Sequence, residues 1–449
     1  MAADSRFGGR IAILGSGREG LAAFEYIDDL GTADHLELIT EGLSGRAKES
    51  ELAASGHLRI CPFGEAGLEA NDLLVRSPGV SPYRDPIQAA MKTGVRITTP
   101  SSMWFQAHPD ANTIVISGTK GKSTTSALLA HLLAAQGRRV QLAGNIGTPL
   151  LTCDDGNVDW WVIELSSFQI ADLEGRPTLA VLLNLATDHL DWHGSETRYR
   201  SDKLRLANLV ESGGLIANGS DPVLREALAG RPDVEWFSSE PGGELLVGAD
   251  EVVMPVSLPG KHNRANLSAC IAIMRRLGCD RRQALAALPS FKGLPHRLQN
   301  LGTADGLKFI DDSISTAPVA TVAALEALAG EKVVLLAGGF DRGIDWSPYA
   351  RAMRAHPPAA VIALPDNGPR ILAALKEAGV EVELGVVEAE NLKVAVELAR
   401  KLAPAGAVVL LSPGAPSFPH FRNYEDRGIR FAEYVFGGTS DAPPKSRCE

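Results

Sequence analysis

An α/β fold in three consecutive domains is what this sequence predicts, and three observations carry the prediction. Short continuous apolar runs alternate with amphipathic helical patterns from Arg10 to Gly414, as expected of parallel strands buried on both faces. Each run ends in a Gly-rich or polar loop, the place where open parallel sheets bind ligands. The 449 residues exceed what one hydrophobic core usually organises, so roughly two to four domains are expected.

In the first domain, expected over residues 1–107, RIAIL (10–14) is a strand running into Gly15-Ser16-Gly17-Arg18-Glu19-Gly20 and then a helix to about Leu30. That is G-x-G-x-x-G in a βα frame, and LELIT (36–40) ends beside Glu41, so a Rossmann-like nucleotide site is predicted. A dinucleotide, a nucleotide or any pyrophosphate on a helix N-terminus satisfies the motif equally. DLLVRS (72–77) and VRITT (95–99) continue the alternation, and the loop Ser77–Pro82 lies at a strand end.

The central domain, 108–297, is organised around Ile114–Ser126. A buried strand (Ile114–Ser117) meets Gly118-Thr119-Lys120-Gly121-Lys122-Ser123-Thr124, and a helix follows. Glycines let backbone N–H groups crowd round a phosphate, and the helix dipole adds to the attraction. Lys122 can reach the β/γ-phosphates and Ser123 can hold Mg²⁺. The standard first Gly is replaced by Ile116, leaving the shorter G-T-x-G-K-S. VQLAGNIG (140–147) brackets Asn145 with glycines. WWVIELSSFQI (160–170) reads as a strand with Glu164 in its interior, where a carboxylate is costly unless paired or metal-bound. AVLLNLATDHLDWHG (180–194) sets Thr187-Asp188-His189 and Asp191 just past a strand, which marks His189 as a functional candidate. TRYRSDKLRLAN (197–208) reads as a helix on which Lys203, taken by itself, looks like a solvated lysine that periodicity cannot promote. A helix is expected over 257–278, with Asn263 and Asn266 on its first turn.

The third domain, 298–437, adds apolar runs at 306–313, 332–346, 359–365, 380–389 and 407–414, expected to form one parallel set. The polar tail 438–449 is expected to be disordered.

Composition narrows the function. Hydrophobic content of 45% with 22% charged residues is ordinary for a globular α/β protein. A net charge of −10 with no basic run argues against nucleic acid as a partner. The five cysteines have no metal-like spacing and read as reduced thiols. No window approaches about 18 apolar residues and no signal-peptide core opens the chain, so a cytoplasmic protein without membrane contact is expected.

GTKGKSTT, GNIG, ELSSFQ, NLATDHLDWHG, YRSDKLRL, LPGKHNRAN, GLPHRLQ, FIDDS and LLSPGAPSF, in this order, resemble the Mur ligase family of peptidoglycan synthesis over essentially the whole chain. Within it, ELSSFQ and LSP-x-x-x-SF are similar to the glutamate-adding branch. The resemblance implies a monomer with a Rossmann-like amino-terminal domain for a UDP-sugar, a central phosphate-loop ATPase domain, and a Rossmann-like carboxyl-terminal domain for glutamate. The implied reaction joins glutamate to UDP-N-acetylmuramoyl-L-alanine with ATP and two Mg²⁺ ions.

The implied ATP site is Gly118, Thr119, Lys120, Gly121, Lys122, Ser123 and Thr124 with Asn263, Asn266, Arg297 and Asp312. Ser123, Glu164, His189 and Lys203 match the metal positions, with Lys122, His189 and Lys203 catalytic. Lys203 matches a lysine that CO₂ converts to a carbamate. Ser16, Gly17, Arg18, Thr40, Ser77 and Asn145 match the UDP-sugar site, and Thr316, Arg342, Ser417, Phe418 and Tyr424 the glutamate pocket.

The chain departs from the family where D-S-K-A-T-N is usual: Asp312-Ser313-Ile314-Ser315-Thr316-Ala317-Pro318 stands instead, and Arg342 replaces a lysine. Ile314 removes a cationic carboxylate partner, Pro318 stiffens the loop, and Arg342 offers a bidentate clamp. These features are similar to an L-glutamate-adding branch; the alternative is the same ligation with D-glutamate. Two other readings compete, a nicotinamide oxidoreductase built on GSGREG and a regulatory phosphate-loop ATPase without ligation.

Overall fold

Strand β1 (Gly9–Leu14) shows why the apolar runs are continuous. Ile11 and Ile13 enter one core while Ala12 and Leu14 enter another on the opposite face, so no position is left for a polar side chain. The computed structural model describes residues 5–43, 47–154, 156–186, 188–238, 240, 243, 246–247, 250–255, 258 and 261–437. Thr187 and the tail 438–449 lie outside them, as do 256, 257, 259 and 260 at the start of the helix expected over 257–278. That helix is described from Lys261 to Arg276.

β1 is the centre of a parallel five-stranded sheet with β2 (Ala33–Thr40), β3 (Leu58–Ile60), β4 (Leu73–Arg76) and β5 (Arg96–Thr98), in the order β3-β2-β1-β4-β5. The order reverses between β1 and β4, so the loops after Leu14 and Arg76 open side by side. This is the crevice where doubly wound sheets bind ligands.

A second parallel sheet takes β6 (Thr113–Ser117), β7 (Val140–Gly144), β8 (Trp160–Glu164), β9 (Leu179–Leu182), β10 (Leu215–Asn218) and β11 (Val234–Phe237) in the order β11-β10-β9-β6-β8-β7. Central β6, flanked by β8 and β9, carries the phosphate loop at its carboxyl end. The strand expected over 160–170 stops at Glu164. Ser166 caps a new helix, Ser167–Ile170, accepting from Gln169 N while Gln169 Oε1 accepts from Ser166 N. Glu164 therefore ends the strand and does not sit in its interior.

After a short antiparallel pair, β12 (Leu246–Val247) and β13 (Asp250–Glu251), come β14 (Gln299–Ala304), β15 (Leu307–Asp311), β16 (Val333–Gly339), β17 (Ala360–Asp366), β18 (Val386–Glu388) and β19 (Val408–Leu411). Their order is β14-β15-β19-β16-β17-β18. The expected parallel set needs one correction: β14 runs antiparallel to β15. Asp305 and Gly306, at φ 51° and 75°, make the tight turn that reverses the chain. The run at 380–389 yields only the three residues of β18, after a turn at Gly385.

Contacts divide the chain into two compact units. One takes residues up to Val252 with His262–Leu288 and so holds the first two sheets; the other takes Val253–Lys261 and Pro289 onward, with the third. No described helix is long and apolar enough to cross a membrane.

Candidate active site

In the first unit, Gly121 at φ 86° starts the helix Lys122–Ala135. A Cβ there would be strained by the left-handed backbone and would strike Asn266 Oδ1. Asn266 therefore lies directly on the loop, and its Nδ2 donates to Asn263 Oδ1 at 2.9 Å. Asn184, unassigned by the sequence, shapes the loop: its carbonyl accepts from Thr119 N (3.0 Å), its Oδ1 from Lys120 N (2.8 Å), and its Nδ2 donates to Lys120 O (2.9 Å). Thr119 Oγ1 accepts from Ala186 N at 2.9 Å and lies 2.7 Å from Tyr199 OH. The carboxyl ends of β6 and β9 are thus locked together.

Three charged side chains converge here. Lys122 Nζ donates to the loop carbonyls of Gly118 (3.0 Å) and Thr119 (3.1 Å). Lys203 is 2% exposed, which overturns its reading as a solvated lysine. Its Nζ donates to Gly118 O at 3.0 Å and lies over the Tyr199 ring, one helical turn back, at 5.4 Å. Burial holds its ammonium well below the usual lysine range, and the positive charge of Lys122 pushes the same way. Glu164 is 1% exposed; Oε1 accepts from Asn145 Nδ2 at 2.8 Å, while Oε2 is buried with no hydrogen-bond partner.

His189 is exposed, at φ 51°, with its ring 4.9 Å from that of Phe168 and Nε2 3.8 Å from Asp188 Oδ2. Asp188 also pairs with the exposed Lys120 at 3.3 Å. Ser123 and Thr124 occupy the first turn behind Lys122. Among the described residues, no group of three His, Cys, Asp or Glu side chains gathers to hold a metal ion by itself.

At the first sheet, Gly17 caps the helix Arg18–Leu30, and Gly20 must stay bare because a Cβ would collide with Gly15 O and Ser77 Oγ. Ser77 Oγ donates to Gly15 O at 2.8 Å, and buried Ser16 and Thr40 face each other at 3.5 Å. Arg18 donates to Gly147 O (2.9 Å) and Asn145 O (3.2 Å). Asn145, expected at the UDP-sugar, thus gives its carbonyl to Arg18 and its amide to Glu164. Glu19 is half-buried beside them, and desolvation raises its pKa to about 7 against the pull of Arg18 and Arg76. Its Oε1 accepts from Gln169 Nε2 at 2.5 Å.

Sequence reasoning missed a second layer. The guanidinium of fully buried Arg76 donates to Asp172 (2.8 and 2.5 Å) and to the carbonyls of Val80 (2.7 Å) and Phe168 (2.9 Å). Tyr83 OH donates to Asp202 Oδ1 at 2.5 Å, His193 Nδ1 lies 2.6 Å from Asp202 Oδ2, and His193 Nε2 lies 3.0 Å from Ser167 Oγ. His193 stood in the DHLDWHG motif but carried no signal separating it from a core histidine.

In the second unit, Arg297 sits between His296 and Leu298, two non-glycine residues at φ 60° and 42°. Their strained backbone is held by His296 Nδ1 to Asp311 Oδ2 (2.6 Å) and Leu298 N to Asp312 Oδ1 (3.1 Å). Asp312 also accepts from Ser315 (2.5 Å) and Ser412 (2.7 Å), and burial raises its pKa to about 6. Its oxygens are thus committed to protein donors. The loops carrying Thr316, Arg342 and Ser417 are joined through Gly414 N to Ser315 O (2.9 Å) and Phe340 N to Pro416 O (3.2 Å). Arg342 is exposed, Phe418 is 65% exposed, Ser417 is buried, and Tyr424 starts the last helix with its carbonyl accepting from Ser313 Oγ at 2.8 Å. Ser417 also lines a cavity of about 210 Å³ with Gly339, Leu364, Lys393 and His420.

Known proteins match along this frame. A family model described as the Mur ligase middle domain matches residues 116–274, and one described as Mur ligase, glutamate ligase domain matches residues 296–414. UDP-N-acetylmuramoyl-L-alanine--L-glutamate ligase of Xanthomonas oryzae pv. oryzae is 41% identical, covering 96% of each chain. The protein of the same name from Micromonospora sp. is 40% identical over 95% of this chain and 96% of its own. Among solved structures, UDP-N-acetylmuramate-alanine ligase from Thermotoga maritima superposes with a TM-score of 0.60 at 22% identity, covering 96% of this chain and 99% of that one. A MurF ligase from Thermotoga maritima in complex with ADP gives 0.58 at 16% identity, covering 97% of each.

Proposed function

This chain belongs to the Mur ligase family, and from that premise we propose an ATP-dependent amide ligase that joins L-glutamate to UDP-N-acetylmuramoyl-L-alanine in peptidoglycan precursor synthesis. The observation that carries the reading is the convergence of Lys122, Lys203 and Glu164 around a phosphate loop at the carboxyl ends of β6 and β8. The names of relatives 39–41% identical favour L- over D-glutamate. Residues 1–107 take the UDP-sugar through Ser16, Gly17, Arg18, Thr40, Ser77 and Asn145. Residues 108–297 take ATP, and 298–437 take glutamate through Thr316, Arg342, Ser417, Phe418 and Tyr424. The protein acts as a cytoplasmic monomer.

Chemistry sets the order of events. A carboxylate is a poor acylating agent, so its oxygen first attacks the γ-phosphorus of ATP; the bond to ADP breaks and an acyl phosphate forms. The amine of glutamate then attacks the acyl carbon, the tetrahedral adduct expels phosphate, and the nitrogen releases its proton. Lys122 and the N–H groups of residues 121–124 hold the phosphates and offset their charge where it gathers. Asn263 and Asn266 brace the loop from behind.

The donor set suits Mg²⁺, which binds few protein oxygens and keeps water and phosphate in its shell. Glu164 offers a buried oxygen without a partner, and Ser123 a hydroxyl at the helix start. These two would hold one ion, His189 and the carbamate of Lys203 a second; bound there, the ions would neutralise charge on the phosphoryl group in transfer. The lowered pKa of Lys203 supports the carbamate. A neutral amine attacks CO₂, a C–N bond forms, one C=O electron pair moves to oxygen, and a proton leaves to solvent.

The test is ADP release with UDP-N-acetylmuramoyl-L-alanine while amino acids are scanned. Release that requires both the UDP-sugar and glutamate is expected; ADP formed equally without either would overturn the ligase reading.

A further inference from the structure

The helix Glu196–Leu204 that carries Lys203 has nine residues, too few to hold a shape alone. Side chains on its neighbours fix it. Tyr199 meets Thr119 of the phosphate loop, and Asp202 is held at both oxygens, by Tyr83 OH on one and His193 Nδ1 on the other. With its Nδ1–H given to the carboxylate, His193 has only the Nε2 lone pair to offer, and Ser167 O–H fills it at 3.0 Å. Ser167 opens the helix that follows directly on β8 and Glu164. One continuous polar chain, Ser167–His193–Asp202–Tyr83, therefore ties the strand end bearing Glu164 to the helix bearing Lys203 and to the Ser77–Tyr83 loop of the first sheet. Ser167, His193 and Asp202 are all buried.

We propose that His193 and Asp202 are positioning residues for Lys203, setting the aim of its amine and thereby how readily it takes up CO₂. The inference rests on the reading of Lys203 as a carbamylated lysine. A buried carbamate anion is tolerable only where its cationic and hydrogen-bonding partners stand, and the Lys203 nitrogen now sits beside the loop carbonyl of Gly118 within the field of Lys122 and Glu164. Releasing Asp202 lets the helix turn about its remaining anchor at Tyr199 and carries the nitrogen off that point. Outer partners that orient a ligand typically account for 10–100-fold in affinity or activity. Asp202 occupies that position relative to Lys203.

The experiment uses the full chain in ¹³C-bicarbonate, with the carbamate carbon followed by NMR and Lys203→Arg identifying its signal. His193→Phe keeps a ring and removes both hydrogen bonds. It is expected to need about tenfold more bicarbonate for half the signal, within the range for such partners. Its deficit in kcat should shrink as bicarbonate is raised, with KM for ATP unchanged. Tyr83→Phe, which deletes one O–H, should shift the same curve less and carries the comparison if His193→Phe does not fold. Folded variants with lower Tm but the wild-type bicarbonate dependence would overturn the positioning role alone. A wild-type chain with no Lys203-dependent signal at saturating bicarbonate would overturn the carbamate reading beneath it.

Discussion

Replacing Glu164 with Gln should make the protein more stable and nearly inactive, because the structure separates what this carboxylate does for the fold from what it does for the reaction. Oε1 accepts from Asn145 at 2.8 Å, and the amide oxygen of Gln can take that bond over. Oε2 is buried without a hydrogen-bond partner, so a carboxylate oxygen is held out of water there with no donor to replace its hydration. An unsatisfied neutral polar group costs about 1–3 kcal/mol and a charged one more, so exchanging oxygen for an amide lowers the penalty by an amount on the order of 1 kcal/mol. For a unit of this size that is a rise of about 2–4 °C in Tm without Mg²⁺. Turnover should fall by roughly 10²–10³, the usual loss when one group stabilising transition-state charge is removed. Calorimetry with and without Mg²⁺, beside ADP release, reads both effects. A Gln variant with normal turnover and unaltered Mg²⁺ dependence would exclude Glu164 as a metal-holding group.

Lys122→Ala should lose roughly 10²–10³ in kcat, measured by ADP release, since its ammonium counts most when charge gathers on the phosphates. Lys203→Ala and Lys203→Arg should both be nearly inactive, because neither methyl nor guanidinium forms a carbamate; a small carboxylic acid added to the Ala variant should restore part of the rate. Gly121→Ala should raise KM for ATP by roughly 5- to 150-fold, since a left-handed backbone that also faces Asn266 Oδ1 costs on the order of 1–3 kcal/mol. Asp312 makes a pH prediction: its folded pKa is raised by burial from 3.8 to about 6, so the folded state holds the proton more tightly than the unfolded chain. The stability this gives is present below the unfolded value and is lost as pH rises through that window. Denaturant titrations between about pH 4 and 6 should show that fall, and Asp312→Asn should remove it.

The phosphate loop was legible because its chemistry needs small residues and a cation at fixed spacing, and that spacing lies within one stretch of chain. Glu164 was legible for a related reason, as a carboxylate flanked by Ile163 and Leu165 calls for an explanation; where its strand ends was not, because the Ser166–Gln169 capping box competes with the strand. Lys203 looked solvated because helical periodicity reports only the amphipathicity of its own segment. Its burial comes from the end of β6 and the loop after it, where Ser117 stands 86 residues away in sequence. The Tyr83–Asp202 bond, 119 residues apart, was equally out of reach. The antiparallel edge strand β14 did leave a signal, the Asp305-Gly306 turn, which the expectation of uniform β/α alternation overrode.

This chain adds L-glutamate, and Ile314 and Arg342 stand where the resemblance expects lysines. Parallel ADP-release assays with UDP-N-acetylmuramoyl-L-alanine and equal concentrations of L- or D-glutamate test it most directly, with the dipeptide product confirmed by mass. L-glutamate should be preferred by about tenfold or more in kcat/KM, a difference of about 1.4 kcal/mol; a preference for D-glutamate would show that the pocket selects the other enantiomer.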